Sequence, residues 1–266
     1  MSTTSIINKL FQLEVAKYIV PGTVSIRLFG ERENVVPVTN GSDLWLGTAT
    51  TIPIPSSSGE QMTLVSSDAQ DNLTGTGIQK IQIEYLDGSG LEQIETIDME
   101  GDTPVNTVAT DIACVNAIHS VQNGSNGVAV GNITIYKLGA SSTIYNRINS
   151  GGNMSLNAFY KVPSNKTLFL SNWAGSAGVA GKRVTIRLRS TSRDTVRDKD
   201  VVYDGANPVF LFIDSMNLSN SANAVDFSPF VRIPSGAFIK ITAWTEATGQ
   251  GAFVSASAGG YLVTNA

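Results

Sequence analysis

Two side chains are candidates for a catalytic nucleophile and its base, and they lie close together in the sequence. Cys114 is the only cysteine among the 266 residues, and His119 is the only histidine. A thiolate–imidazole pair needs both groups on one side of an element, whereas residues five apart on a β-strand face opposite sides. No nucleophile-elbow, phosphate-loop or dinucleotide-binding glycine motif accompanies them. The sequence therefore predicts no catalytic residue and no cofactor, and Cys114 is expected to be a small buried side chain.

A second chemical group is a run of carboxylates, among them Glu92, Glu95, Asp98 and Glu100. Paired carboxylates hydrolyse glycosides, and carboxylates that converge from a loop bind calcium. Nothing in the spacing singles out a pair, and one His and one Cys leave zinc without its usual ligands. Carboxylates on an outer strand face also discourage edge-to-edge pairing of sheets. We therefore predict no metal site and a protein that is not an enzyme, with a polysaccharide-cleaving enzyme as an alternative.

The third group is basic and lies in the C-terminal half of the chain. Its members are Lys182, Arg183, Arg187, Arg189, Arg193, Arg197 and Lys199. Arg187 and Arg189 alternate with aliphatic residues, which predicts that both arginines lie on the solvent face of one strand. Three interleaved aspartates argue against nucleic acid as the partner. Two interpretations remain, a contact patch for an acidic protein surface and a solvated strand face with weak ion pairs.

The elements that must position these residues are β-strands. Turn-forming residues recur at short intervals, and no long segment shows the 3.6-residue period of a helix. The clearest hairpin is Gly77–Met99, in which apolar residues flank the turn Asp87–Gly90. Strands are also predicted at Val15–Val20 and Thr23–Leu28, and Val209–Ile213 is predicted to be a buried strand.

Two stretches are near copies of each other. Residues Phe159 to Trp173 read FYKVPSNKTLFLSNW, and residues Phe230 to Trp244 read FVRIPSGAFIKITAW. Each copy predicts a strand, a tight Pro-Ser turn and a second strand. Two similar hairpins in quasi-equivalent places are typical of a jelly roll or a related sandwich. Trp173 and Trp244 would end matching strands, where they pack in the core or, alternatively, offer an aromatic surface to a sugar.

The charge distribution divides the chain near residue 140. Residues 1–140 carry 6 Lys and Arg against 15 Asp and Glu, whereas residues 141–266 carry 12 against 7. We predict an all-β fold with two β-sandwich units, an acidic one at 13–140 and a jelly-roll-like one at 141–266 that contains the internal hairpin repeat. Residues 1–12 form an arm or a short amphipathic helix, and its candidate partner contacts are Ile6, Ile7, Leu10 and Phe11.

The repeated pattern of an aromatic, a basic residue, Val or Ile, and Pro-Ser resembles β-rich virion proteins of tailed bacteriophages. The upstream order is similar as well, with Phe29-Gly30, then Asp43-Leu44-Trp45, the Ile78–Met99 hairpin and the strand Gly131–Tyr136. The resemblance covers most of the chain from near Ser25 onward. It implies a capsid decoration or cement protein, expected to be a homotrimer, that bridges coat subunits, and it supplies no catalytic residue.

The partner implied by this resemblance is the major capsid protein or another virion protein. The candidate contacts are the arm residues together with Lys182, Arg183, Arg187, Arg189 and Arg193. No apolar run has the length that spans a membrane, so neither membrane nor nucleic acid is an expected partner. The expected location is the virion, after assembly in the host cytoplasm. The alternative is a tail, baseplate or fibre-associated protein that binds host carbohydrate through Trp173 or Trp244.

Overall fold

Strands account for nearly all the regular structure of this protein, as the computed structural model shows for residues 11–38, 41–178, 183–192, 209–246 and 251–265. The expectation of an all-β fold is confirmed for these residues. The strands are β1 (Thr23–Val35), β2 (Ser42–Asp43), β3 (Met62–Ser66), β4 (Ile78–Leu86), β5 (Glu92–Asp98), β6 (Val105–Asn106), β7 (Cys114–Asn123), β8 (Ile133–Lys137), β9 (Ala140–Ile148), β10 (Phe159–Lys161), β11 (Lys166–Ala177), β12 (Val184–Ser190), β13 (Leu211–Leu218), β14 (Ser221–Ile233), β15 (Phe238–Thr245) and β16 (Ala252–Thr264).

The segment before β1 is helical at residues 11–16, so the strand predicted at Val15–Val20 is wrong. Phe11 and Val15 are four residues apart and therefore share one side of a helix. Val15 is buried, and the ring of Phe11 meets the ring of Tyr261 edge-on at 5.4 Å between centroids. Packing of this apolar side against the sheet below favours the helix over a strand.

Two antiparallel sheets enclose the larger apolar core. The first has the strand order β1-β16-β11-β14, and the second has the order β10-β15-β12-β13 with the short β2 beside β15. Leu170 and Trp173 from the first sheet lie in the same core as Ile186 and Ile241 from the second. All four side chains are almost completely buried. Because burial of one large apolar side chain stabilises a fold by ~1.5–3 kcal/mol, this shared core holds the two sheets together.

The Pro-Ser repeat connects these two sheets. The first copy runs from β10 in the second sheet to β11 in the first, and the second copy runs back from β14 to β15. The predicted strand–turn–strand pattern is confirmed, but the predicted hairpin pairing is wrong, because β10 pairs with β15 and β11 pairs with β14. The physical reason is that the residues on both sides of each turn point into one core. These fully buried residues are Val162 and Leu168 in the first copy and Ile233 and Ile239 in the second.

A second pair of sheets surrounds a separate core. Their orders are β6-β3-β8-β9 and β5-β4-β7. Leu64, Ile83, Ile118 and Ile133 are fully buried between them. These strands all lie between β2 and β10 in sequence, so residues 44–158 form an insertion between strands of the larger core, and its first and last residues, Leu44 and Ala158, are buried in that core.

The strand pairing groups the chain differently from the division predicted at residue 140. Strands β8 and β9 pair across that position, around a turn in which Gly139 has a φ of 78°. Strand β1, near the N-terminus, pairs with β16 at the other end of the chain. The predicted hairpin Gly77–Met99 is confirmed as β4 and β5, which pair from Lys80↔Asp98 to Leu86↔Glu92.

The charge asymmetry follows the strand pairing more closely than the predicted division. Residues 44–158 contain eleven Asp and Glu against three Lys and Arg, a net charge of −8. The remaining residues contain eleven against fifteen, a net charge of +4. The insertion is therefore the acidic unit, and the larger core belongs to the basic one.

A third apolar cluster joins the insertion to the second sheet. Leu86 and Cys114 come from the insertion, and Phe159 comes from β10. Phe238 of β15 packs beside Phe159, with 5.5 Å between the ring centroids. Because Leu86 and Cys114 are buried in the same cluster as Phe159, this cluster fixes the insertion against the sheet.

We predict that Gly30→Ala destabilises the protein by ~1–3 kcal/mol, the usual cost of overpacking. Gly30 lies in β1 where the insertion leaves and returns, and a Cβ there would collide with the carbonyl oxygen of Leu44 and the amide nitrogen of Ala158. Denaturant unfolding would measure the free energy of unfolding. Gly178→Ala is the control, since its Cβ would meet nothing closer than 4.0 Å. Equal stabilities of the two variants would contradict this prediction.

Candidate functional site

The basic strand predicted as a contact patch is β12, and its arginines stack on an aromatic ring. The guanidinium carbons of Arg187 and Arg189 lie 4.9 and 4.8 Å from the ring centroid of Phe212. Phe212 pairs directly with Arg189 across β12 and β13 and is 51% exposed. The prediction that Val209–Ile213 is a buried strand is therefore wrong, because Phe212 lies on the outside and covers the arginines.

The two arginines differ in exposure, in contrast to the prediction of one shared solvent face. Arg187 is half-buried, whereas Arg189 is only 8% exposed. Burial lowers the pKa of the Arg189 guanidinium, the positive charge of Arg187 lowers it further, and Asp43 acts in the opposite direction. Arg183 is exposed and donates from Nε to Oδ1 of Asn217 at 3.1 Å. Lys182 and Arg193 lie outside the described residues.

A buried ion pair lies next to these arginines. Lys240 Nζ is 2.8 Å from Asp43 Oδ1, and the two side chains are 11% and 2% exposed. The other carboxylate oxygen, Oδ2, accepts a hydrogen bond of 2.8 Å from the backbone N–H of Ile52. Lys240 Nζ also lies 4.2 Å from the ring centroid of Phe210. Sequence reasoning missed this pair, since Asp43 and Lys240 are far apart in sequence and only the pairing of β2 with β15 brings them together.

This arrangement gives one face of the second sheet a fixed positive charge. Asp43 is occupied by Lys240, so it does not neutralise the exposed guanidinium of Arg183 or the half-buried guanidinium of Arg187. A guanidinium held on an aromatic ring keeps its planar donors in place, and planar donors match a carboxylate well. The face can therefore bind acidic side chains.

The arm residues predicted as contacts are only partly within the described chain. Phe11 packs on Tyr261, and Phe230 lies 6.0 Å from the same Tyr261 ring. Phe230 is 44% exposed, so the three rings form an aromatic patch that is open to solvent. Ile6, Ile7 and Leu10 lie outside the described residues.

The outer face of the first sheet continues from this patch to a stretch where small side chains predominate, with Phe29 at its margin. A shallow depression of about 370 Å³ on it is lined chiefly by small residues. These are Ala174, Ser176, Ala222, Ala224, Ser255 and Ser257. Small side chains leave a sheet face flat, so it suits contact with another flat surface better than binding of a small molecule.

The described residues do not assemble a catalytic centre from the candidate groups. The thiol of Cys114 is buried, and it lies 3.5 Å from Oδ1 of Asn116. Burial raises the pKa of this thiol to about 12. His119 instead has its Nδ1 3.6 Å from Oε1 of Glu84. Within the described ranges, no three His, Cys, Asp or Glu side chains converge as metal ligands.

The tryptophans behave as core residues. Trp173 is fully buried, and its indole Nε1 donates a hydrogen bond of 2.9 Å to Oδ2 of Asp214. The interpretation of Trp173 as a sugar-binding surface is therefore wrong, because no face of the ring is accessible. Trp244 is half-buried.

Among the described residues, no helix has the length and apolar character needed to cross a membrane.

These features define an all-β protein whose described surfaces are suited to contact with other macromolecules.

No protein-family model and no curated protein matches the chain. Two solved structures from infectious bursal disease virus are weakly similar to it. The structure of the Gt strain is 10% identical, with 92% of this chain and 74% of that chain covered and a TM-score of 0.24. The crystal structure of the VP2 subviral particle is 10% identical, with 92% and 72% covered and a TM-score of 0.20. Similarities this weak carry no argument about fold or function.

We predict that breaking the buried ion pair is strongly destabilising. Lys240→Met leaves the Asp43 carboxylate buried without its cation, so the free energy of unfolding should fall by ~3–5 kcal/mol. The double variant Asp43→Asn with Lys240→Met should recover part of this loss, which a double-mutant cycle in guanidinium chloride would quantify.

The matched control for the ion pair is Lys80→Met. Lys80 Nζ also lies 2.8 Å from its partner, Asp98, but these side chains are 35% and 51% exposed. Because exposed pairs contribute little, its loss should cost ~0–1 kcal/mol. If Lys80→Met proved as costly as Lys240→Met, burial would not be the cause of the difference.

We predict that Cys114 is chemically inert in the folded protein. At pH 8 an ordinary thiol has a substantial thiolate fraction, whereas a thiol with a pKa of about 12 has almost none. Reaction with a colorimetric disulfide reagent should therefore be at least ~100-fold slower in the native protein than in the unfolded protein. Ser141→Cys, at an exposed position of β9, is the positive control and should react at once. Similar rates for the two thiols in the native state would show that Cys114 is accessible.

Proposed function

We propose that this protein is a non-enzymatic virion structural protein, and that it is a capsid decoration or cement protein that bridges coat subunits. The observation that carries the proposal is the nested pairing of eight strands around the larger core. β1 pairs with β16, β10 with β15, β11 with β14, and β12 with β13. Among these eight strands, the first pairs with the last, the second with the seventh, the third with the sixth and the fourth with the fifth.

Nested pairs of this kind result when one long antiparallel hairpin folds over on itself, and they support a jelly roll for these eight strands. Eight-stranded jelly rolls recur in viral capsid domains and in lectins. A fold alone does not define a function, so the proposal also rests on the sequence resemblance to virion proteins and on the surfaces described above. The second sandwich unit is the insertion at residues 44–158, with its own core.

The charge distribution supports a bridging role. The insertion carries a net charge of −8, and the rest of the chain carries +4. When copies of such a chain lie side by side, the acidic unit of one can face the basic strand of the next. Arg183 and Phe212, which are exposed, and the half-buried Arg187 supply a basic and aromatic surface for this contact.

The proposed partner is the major capsid protein or another virion protein, and the proposed assembly is a homotrimer located on the virion. The resemblance to proteins of tailed bacteriophages supports the phage origin. The alternative is a tail, baseplate or fibre-associated protein that binds host carbohydrate; Trp173 is buried and is excluded as its sugar-binding surface, whereas Trp244 is half-buried.

We predict that the protein occupies the head of the purified particle in a number that scales with the coat subunits. Quantitative mass spectrometry and electron microscopy of the particle would measure copy number and position. A few copies confined to the tail would contradict the decoration function, and absence from the particle would contradict the virion function altogether.

Substitutions in the basic strand test whether this surface contacts the particle. The double variant Arg183→Ser with Arg187→Ser should bind particles that lack the protein about 3- to 10-fold more weakly at low ionic strength. Lys80→Ser is the matched control, since it removes a basic residue from the acidic insertion. Equal binding by all three proteins would show that the basic face is only solvated.

A further inference from the structure

A cleft separates the edge strand β1 from the outer face of the β5-β4-β7 sheet. It consists of two adjoining cavities of about 250 and 530 Å³. They share the lining residues Val24, Ser25, Glu84, Glu92, Asn116 and Tyr160. The cleft is distinct from the basic face of β12, and nothing in the proposed decoration function explains it.

The edge of β1 forms one wall of this cleft. Six consecutive residues, Val24 to Phe29, line it. Side chains of consecutive strand residues point to opposite faces of a sheet, so a continuous run can line a cavity only through the edge of the strand. β1 is the terminal strand of its sheet. On its free side, the backbone of residues 24–28 forms no hydrogen bond with any other described residue. Every second residue of an antiparallel strand directs its N–H and C=O away from its partner, so unpaired backbone groups face the cleft.

An unpaired side-chain amide marks the end of the same cleft. Asn157 is 6% exposed, and neither its Nδ2 nor its Oδ1 has a hydrogen-bond partner in the described part of the chain. Its backbone bridges to Phe29, where the free edge of β1 ends. A buried amide left without partners costs free energy, and a peptide group offers the donor and the acceptor that it lacks.

The opposite wall carries two carboxylates, Glu84 and Glu92, and the cleft is also lined by the basic side chains of Lys166 and Arg27. Glu92 accepts from the hydroxyl of Tyr160 at 3.3 Å and pairs with Lys166. Burial and the charge of Glu92 raise the pKa of Tyr160, which keeps the hydroxyl protonated as a donor. Glu84 also lines the cleft, and Nδ1 of His119 lies 3.6 Å from its Oε1. Because Lys166 neutralises Glu92, Glu84 is the carboxylate of this wall beside which a basic side chain would be favoured.

Apolar side chains complete the lining. Val24, Ile94 and Met154 are 36%, 65% and 51% exposed, and all three line the cavities. Exposed apolar groups beside an unpaired strand edge are the usual features of a site for β-strand addition. The occupant must therefore be extended, rich in β-branched residues and weakly basic.

We propose that the cleft receives an extended segment from a second copy of this chain, which adds as a strand beside β1. The sequence of residues 2–10, STTSIINKL, meets the requirements, since it has two adjacent isoleucines and a single charge, Lys9. Six residues of a strand cover ~20 Å, so this segment is long enough to pair with Val24 to Phe29. The inference rests on the proposed function, because exchange of segments would link neighbouring copies on the particle.

The first test uses a fluorescent peptide with the sequence of residues 2–10 and the full-length protein. Saturable binding of this peptide is the expected result, with loss of binding when alternate backbone nitrogens of the peptide are methylated, because methylation removes the ladder hydrogen bonds. Glu84→Gln should weaken binding about fivefold. Glu100→Gln, an exposed carboxylate of the same insertion that does not line the cleft, is the matched control and should bind normally.

The second test decides whether the segment comes from another copy. A chain with Ile7→Cys is mixed with a chain carrying Ser25→Cys, and a disulfide between the two different chains is expected. Cys114 is buried and does not compete. Ser141→Cys replaces Ser25→Cys in the control and should form little disulfide with the Ile7→Cys chain.

Several outcomes would overturn the inference. Absence of peptide binding, equal binding of the methylated peptide, or no disulfide between chains would each contradict strand addition. Saturable binding of a neutral oligosaccharide, in place of the peptide, would identify the cleft as a sugar site. If the protein decorates particles but its cleft binds no peptide, only this inference fails. If the cleft binds peptide but the protein is absent from particles, only the proposed function fails.

Discussion

The pairing of β1 with β16 is the constraint on which the rest of the structure depends. It runs from Thr23↔Val263 to Val35↔Ala252 and joins the two ends of the described chain. Loop closure over so long a chain costs conformational entropy, and the buried faces of these strands repay it in the larger core. With β1 in place, the chain leaves and re-enters this core at one point, beside Gly30, where the insertion begins and ends. The same pairing leaves the other edge of β1 open and so creates the cleft.

The junction between the two cores combines apolar packing with a buried charge. The cluster of Leu86, Cys114 and Phe159 excludes water, and the Asp43–Lys240 pair lies at its margin. A buried pair contributes little net stability but makes mispairing costly, since either charge alone would be left without a partner. The insertion is therefore held in one orientation relative to the basic strand.

For the candidate contact residues, sequence patterns predict which face of a strand a side chain lies on, but they do not predict which side chains from other strands cover it. Alternation along β12 correctly assigns Arg187 to the outer face, but it cannot reveal that Phe212 covers Arg189, because Phe212 comes from the neighbouring strand. The composition predicts that the chain has an acidic unit and a basic unit. The strand pairing places the acidic unit at residues 44–158, with no boundary near residue 140. The aromatic patch of Phe11, Phe230 and Tyr261 draws on three distant segments, so no local signal indicates it.

The sequence by itself determined the strand character of the chain, the Gly77–Met99 hairpin, the Pro-Ser turns and the burial of Cys114. These are set by local properties, namely side-chain period, turn-forming residues and hydrophobicity. Only the tertiary structure decided that each Pro-Ser copy passes between two sheets, that β1 joins β16, and that Asp43 meets Lys240. A strand edge offers the same backbone donors and acceptors to any partner, so its choice of neighbour depends on which faces can share one core, and that is a property of the whole chain.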